Sequence, residues 1–292
     1  MKLARHKVQD VAFQPARWAG GSITPEIVIL HDTASSLNKG SAANYLAENS
    51  AKVSVHFVVE TDGTIVQQVA TNRRANHAGK SSYNGRADCN GFSIGIEIVN
   101  AGKMTRVLPS SANLLLAARS WWGQAFVDND QTVDLVEMST PEHGDGVWMS
   151  YPAEQIAAVE QLLACLFRDI PTLRDITTHW YVSPGRKVDV NPLFPLAHIR
   201  ARVLGRDDPA DADADAATIA VPGGSFVQVV SPVSPLNLRR WPSFNPNVIG
   251  TVPHGAVLPV LGRGDFASQR WLKVLFDGRE GWVVERYTAT MP

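Results

Sequence analysis

A break in composition divides this chain before anything else about its fold can be read. Between residues 205 and 224 the run "GRDDPADADADAATIAVPGG" replaces hydrophobic periodicity with five aspartates, small alanines, prolines and glycines. Such a segment cannot fill a core and its charges repel, so it reads as an extended linker. A frayed helix end followed by a loop is the alternative, and it leaves the division unchanged. The 292 residues therefore fall into a unit over 1–204 and a smaller one over 225–292.

The first unit mixes two periodicities. "IVIL" before His31 is a short apolar run of strand type, and "VSVHFVVETDGTIVQQV" predicts two strands turning at Asp62-Gly63. "FSIGIEIVN" alternates apolar residues with Gly95 and Glu97, which predicts another strand. "SSANLLLAARSWWGQAF" (110–126) and "PAEQIAAVEQLLACLFRDI" (152–170) are expected to be amphipathic helices, the second with Pro152 near its start. Together these predict an α/β unit with a central mixed β-sheet flanked by helices. The second unit has short β-type runs separated by Gly, Pro, Asn and Asp, the pattern of a small all-β barrel. Its seven Lys/Arg against four Asp/Glu leave it mildly basic.

Charge and cysteine content narrow the chemistry. A formal net charge of −1 supplies no bulk basic field, so nucleic acid is not expected as a partner. Cys89 and Cys165 form no CxxC pair and read as buried thiols. The start "MKLARHKVQDVAFQPARWAGG" has basic residues but no apolar core of a signal peptide, and no later run is long enough to span a membrane. The expectation is synthesis in the cytoplasm without a signal peptide and without membrane insertion, with any action at a cell wall following release by a non-Sec route.

The residues that carry chemistry lie in four places. "HWYVSPGRKVDVNP" sets His179 and Asp189 ten positions apart around a Pro-Gly turn, two donors suited to a borderline metal such as zinc. His31, at the end of the "IVIL" strand, would sit at the mouth of the sheet. Alone it reads as a structural histidine; with His179 and Asp189 it completes a His, His, Asp set that leaves a fourth position open for water. Glu97 is the candidate general base, because a lone carboxylate on an apolar strand is costly to bury without a partner or a task; a salt bridge or a solvent-facing position is the alternative. Lys187, two residues before Asp189, could aim an ammonium at a developing oxyanion, or stand as a surface lysine. "RRANHAGKSSYNGR" (73–86) could wall a cleft with His77, Lys80 and Arg86, or be a solvated connector. His56 is expected in the core or behind the ligands, and His6, His143, His198 and His254 at surface or structural positions.

At these residues the chain resembles a known family. "VILHDTA", "VSVHFVVETDGTIVQQV", "RANHAGKSSYNGRADCNGFSIGIEIVN" and "HWYVSPGRKVDVNPLF" stand in the order and spacing of type 2 N-acetylmuramoyl-L-alanine amidases, zinc enzymes related to peptidoglycan recognition proteins. The resemblance spans roughly residues 25–200 and implies an amidase fold in the 1–204 unit. It implies a Zn2+ cofactor on His31, His179 and Asp189, catalytic roles for Glu97 and Lys187, and a substrate-lining role for His77. The implied reaction is hydrolysis of the amide between N-acetylmuramic acid and L-alanine in peptidoglycan or muropeptides. Relatives that only bind peptidoglycan are the alternative, and they generally lack a complete ligand set.

Two features depart from the family. "DVNPLF" replaces the frequent Asp-Pro-Gly-Pro, and the stretch 104–151 is longer than expected there, as a lid or cleft extension would be. The segment 225–292 resembles bacterial SH3-like modules through "LNLRRWPS" and "GREGWVVERYT", which implies contact with the cell wall, tethered through the linker.

Overall fold

The structure is a computed structural model. It describes the chain except residues 108–115, 129–133, 205–217, 222–223, 232–234, 240–241, 243–247, 267–268 and 292. Much of the predicted linker thus lies outside the described residues; within it, Ile219–Ala220 pairs with Gly262 and Arg263 of the C-terminal unit.

The N-terminal unit is built on a six-stranded sheet. Its spatial order is Asp175–Thr178, Ile27–Asp32, Ser93–Ile98, Phe57–Val59, Ile65–Gln67 and Ala12–Phe13. The first four strands run parallel, whereas Ile65–Gln67 turns back antiparallel to Phe57–Val59. The predicted hairpin at Asp62-Gly63 is therefore present, and the sheet is mixed as expected.

Strand alternation assigns a job to each face. Val28, Leu30, Ile94, Ile96 and Ile98 point to one side, where Ile156, Val159, Leu162, Leu163 and Leu166 of the helix Ala153–Asp169 complete the main core. Residues of the other parity, His31 on one strand and Ser93, Gly95 and Glu97 on its neighbour, share the opposite face. His31 and Glu97 are register partners. The short helix Ser41–Ala47 packs Ala42, Ala43 and Leu46 beside Val55, Val58 and Val99 at the edge of that side.

The expected helix over 110–126 is a correction. Residues 110–115 lie outside the described part, and the remainder forms the strands Ala117–Arg119 and Ala125–Val127 around a turn at Ser120–Gln124. The turn needs Gly123, whose φ is +93°. Alanine favours helix locally, but Ala118 and Phe126 fill a small satellite core with Met104, Leu135, Val147 and Met149, and that tertiary burial prevails over propensity. Two further strands, Leu135–Thr140 and Gly144–Met149, finish the 104–151 stretch as a long hairpin.

The C-terminal unit is all-β. Seven of its strands follow the order Val248–Val252, Leu236–Arg239, Arg279–Val284, Gln269–Phe276, Val257–Phe266, Phe226–Val229 and Thr288–Thr290. Its own core contains Val227, Val229, Leu236, Leu238, Leu258, Leu272, Val274 and Val283. Among the described residues no helix is long and apolar enough to cross a membrane.

Candidate metal and catalytic site

The site lies where the carboxyl ends of the parallel strands meet the loop after Thr178. The strand Asp175–Thr178 runs directly into one helical turn, His179–Val182, which aims the His179 ring back at the sheet. The chain then turns at Ser183–Arg186 and returns, so Asp189 comes beside the two histidines. His31 Nδ1 and His179 Nδ1 are 2.9 Å apart, and Asp189 Oδ2 lies 2.9 Å from His179 Nδ1 and 3.4 Å from His31 Nδ1.

The outer ring nitrogens explain why these inner atoms converge. His179 Nε2 donates to the Ala78 carbonyl at 3.1 Å. His31 Nε2 meets His77 Nδ1 at 2.9 Å, His77 Nε2 donates to Ser93 Oγ at 3.2 Å, and the Ser93 hydroxyl donates to the Cys89 carbonyl at 2.6 Å. With the ring protons assigned to those outer partners, both Nδ1 atoms face Asp189 as lone pairs. Three acceptors gathered without a proton to share repel one another unless a cation lies among them. Their separations also suit a tetrahedral zinc, whose bonds of about 2.0–2.2 Å put donors about 3.3 Å apart. The residues fit the ion.

Burial tunes each group. The interior and the neighbouring His179 push His31 down to about 4, so its imidazole is neutral at pH 7, the form that can donate a lone pair to a metal. Asp189 is also buried, which opposes ionisation; hydrogen bonds and positive charge from His179 and His31 would hold it below the usual carboxylate range, and with both Nδ1 atoms turned to it as lone pairs that task falls to a cation. Glu97 goes the other way: burial, then the negative charges of Asp189 and Asp32, raise it to about 8, against the pull of Lys187. Its Oε2 is buried with no hydrogen-bond partner. No salt bridge holds it among the described residues, and it is half-buried at the cleft wall with one carboxyl oxygen out of reach of solvent. A cleft of about 830 Å³ is lined by Glu97, Lys187, His77, His179 and Asp189 together with Tyr45 and Trp121.

The other expected substrate contacts divide. His77 lines the cleft, yet its ring nitrogens are committed to His31 and Ser93, so its ring is tied to the site's own residues. Lys80 and Arg86 are not in the cleft lining. Arg86 pairs with Glu26 at 2.8 Å and stacks on Phe92, and the Lys80 side chain is exposed while its carbonyl accepts from Ser183 and Arg186. His56 is behind the site as expected, accepting from the Gly95 N–H and donating to the Arg73 carbonyl. His143, assigned to a surface or structural position, is structural: Nε2 donates to the Val190 carbonyl.

Three positioning residues were missed. Asp32 is buried, raised to about 8 by that burial, and bonded to the Tyr151 hydroxyl at 2.6 Å and the Asn191 N–H at 2.7 Å. Asn191 extends this anchor to the Met149 carbonyl. Arg186 reaches the Ala78 carbonyl at 2.7 Å and so fastens the 77–81 loop to the turn before Lys187. A carboxylate directly after His31 was the available signal for Asp32; nothing local marked Asn191 or Arg186.

The mixed sheet thus brings two imidazoles and a carboxylate within reach of one cation, with an unpartnered carboxyl beside them in an open cleft. The chain belongs to the N-acetylmuramoyl-L-alanine amidase family: the family model matches residues 21–192, and a bacterial SH3 domain model matches residues 234–289. It is 30% identical over 152 residues to the 1,6-anhydro-N-acetylmuramyl-L-alanine amidase AmpD of Escherichia coli (strain K12), covering 52% of this chain and 59% of that one. To the AmpD of Enterobacter cloacae it is 50% identical over 157 residues, covering 53% and 60%. The chain thus spans less than two thirds of these relatives' length. Among solved structures, a crystal structure of an AmpD derivative is similar with a TM-score of 0.42 and 21% identity, over 66% of this chain and 93% of that one.

Proposed function

We propose that this protein hydrolyses the amide joining N-acetylmuramic acid to L-alanine in peptidoglycan or muropeptides, with residues 1–204 as the catalytic unit. The observation that carries this reading is the convergence of His31, His179 and Asp189 in one cleft with the unpartnered carboxyl of Glu97. The relatives' printed activity is the same amide hydrolysis on the anhydro form.

A zinc ion held by His31, His179 and Asp189 would supply Lewis-acid charge to the scissile carbonyl and to the attacking water. Glu97 takes a proton from that water as the new C–O bond forms, and returns it to the departing alanine nitrogen as the C–N bond breaks. Burial and the charges of Asp189 and Asp32 would keep Glu97 largely protonated at pH 7 without a cation beside them, so its work as a base requires the positive charge of an ion on His31, His179 and Asp189 to return it to the carboxylate. Lys187, on the cleft wall, presents its ammonium to the carbonyl oxygen as that atom gains charge. Tyr45, Leu46, Val53 and Trp121 supply apolar cleft sides against which the muramyl peptide lies. The C-terminal unit, by its match to bacterial SH3 domains, supplies a contact to the wall.

The test is mass spectrometry of wall fragments and of soluble muropeptides after digestion by zinc-loaded protein, beside Asp189→Ala and Glu97→Gln. Free stem peptides beginning at L-alanine are expected from the wild type. Asp189→Ala should lose metal and turnover together, and Glu97→Gln should keep zinc while turnover falls about 10²–10⁴-fold. Retention on wall material with no cleavage by the wild type would leave a binding protein instead.

A further inference from the structure

The C-terminal unit carries aromatic residues on the wrong side for its own core. In Gln269–Phe276, Leu272 and Val274 point into the barrel, so Trp271 points outward. In Arg279–Val284, Val283 points inward, so Trp282 and Val284 point outward. Outward positions on a small barrel face water, yet Trp271 is 1% exposed, and Trp282 and Val284 are each 2% exposed. The barrel's own Phe266 packs edge-on to Trp282 at 5.3 Å, and the rest of the shared cluster comes from the N-terminal unit: Val136 and Trp148, paired across the long hairpin, and Leu193, with Met138 and Val188 at the margin.

Polar contacts seal the same junction. Arg239 of the barrel and Asp134 at the base of the hairpin form an ion pair at 3.3 Å, both nearly buried. Arg286 pairs with the fully buried carboxylate of Asp128. The 104–151 stretch, expected as a lid or cleft extension, does contribute Trp121 and Trp148 to the cleft, but one face of its hairpin is the seat of the barrel.

This junction reaches the site through two residues. Val188 stands between Lys187 and Asp189, and Leu193 ends the turn that follows them; both belong to the shared apolar cluster. Val188 and Trp148 also line the cleft, so one layer of side chains has the barrel behind it and the reaction space before it.

We propose that the C-terminal barrel is a brace for the catalytic loop: docked on the hairpin, it holds the segment Lys187–Leu193 so that Lys187 and Asp189 face the cleft. Its outward aromatic face is therefore used within the chain, and any wall contact is made by other faces. This inference rests on the metal-site reading above, and it acts through position alone.

The experiment uses the full chain with Trp271→Ala, Trp271→Phe and, to keep both cores filled, Met138→Asp. Amide hydrogen exchange over 188–193 and 271–284 reads docking and the loop with or without zinc. Chelator competition reads zinc affinity, and a soluble muramyl peptide, too small to profit from anchoring, reads kcat and KM. In Trp271→Ala and Met138→Asp the loop should exchange faster, zinc should bind about 10–100-fold more weakly, and kcat should fall more than KM rises. Trp271→Phe should recover most of each effect. The brace is overturned if exchange over 271–284 reports an undocked barrel while the loop's exchange, zinc affinity and kcat remain those of the wild type. A wild type that takes up no zinc would refute the metal-site reading, and exchange over 188–193 would still decide the brace.

Discussion

Gly95 shows how one missing side chain shapes the candidate metal site. It lies on the strand next to His31, facing the cleft, and a Cβ there would come within 2.5 Å of the His77 ring. Only a bare backbone leaves room for His77 to lie against the sheet and accept from His31. Gly95→Ala should therefore displace His77, free the His31 ring to turn, and weaken zinc about 10–100-fold, the usual cost of losing an outer partner of a metal-bound histidine. Chelator competition on folded protein measures it, and an unchanged affinity would remove His77 from the orienting role. In the sequence this glycine was visible only as an interruption of "SIGIEI". The three converging donors were legible as candidates because their residue types are few and their chemistry narrow; His77 was legible as a cleft residue, but its commitment to His31 depends on a ring packed over a neighbouring strand.

Elements carry a second kind of constraint, since the sheet here is stitched partly by a side chain. His56 precedes Phe57–Val59, accepts from the Gly95 N–H and donates to the Arg73 carbonyl, so it must stay neutral to keep both bonds. Burial holds it at about 4 against an ordinary 6.5. Below pH 6.5 the unfolded chain takes a proton that the folded chain refuses, so stability falls as pH drops from about 6.5 to about 4. Urea unfolding of wild type and His56→Gln should show the wild type losing about 2 kcal/mol relative to the variant between pH 7.5 and pH 5. A constant difference would mean that His56 titrates normally in the fold. Strand alternation made the strands of this sheet legible from sequence, but not their order or which parity faces the cleft. The strands Ala117–Arg119 and Ala125–Val127 were not legible, because their alanines favour helix and what turns them is a satellite core assembled from residues 104–149.

At the scale of the whole molecule, the junction decides whether two units behave as one. A tethered module would unfold independently of the catalytic unit and contribute nothing to its stability. Here Asp134 belongs to the N-terminal unit and Arg239 to the barrel, and their ion pair is almost removed from water. Losing one partner of such a pair costs about 3–5 kcal/mol, because the other charge stays behind in the interior. Asp134→Ala should therefore lower the stability of the barrel although it alters no residue of the barrel. Urea titration followed by pulsed hydrogen exchange reads both units in one sample, through Ser93–Ile98 on one side and Gln269–Phe276 on the other. Both transitions should move to lower urea together and remain superimposed. Separation of the two, with Ser93–Ile98 unmoved, would mean the apolar cluster of Trp148, Trp271 and Trp282 is a contact without coupling. The linker's composition gave no hint of this docking, because acidic and small residues report only that the segment fills no core. The available hint lay in "RWLKVLF" and "GWVVERY", whose strands are apolar on both faces, as a strand covered on both sides must be.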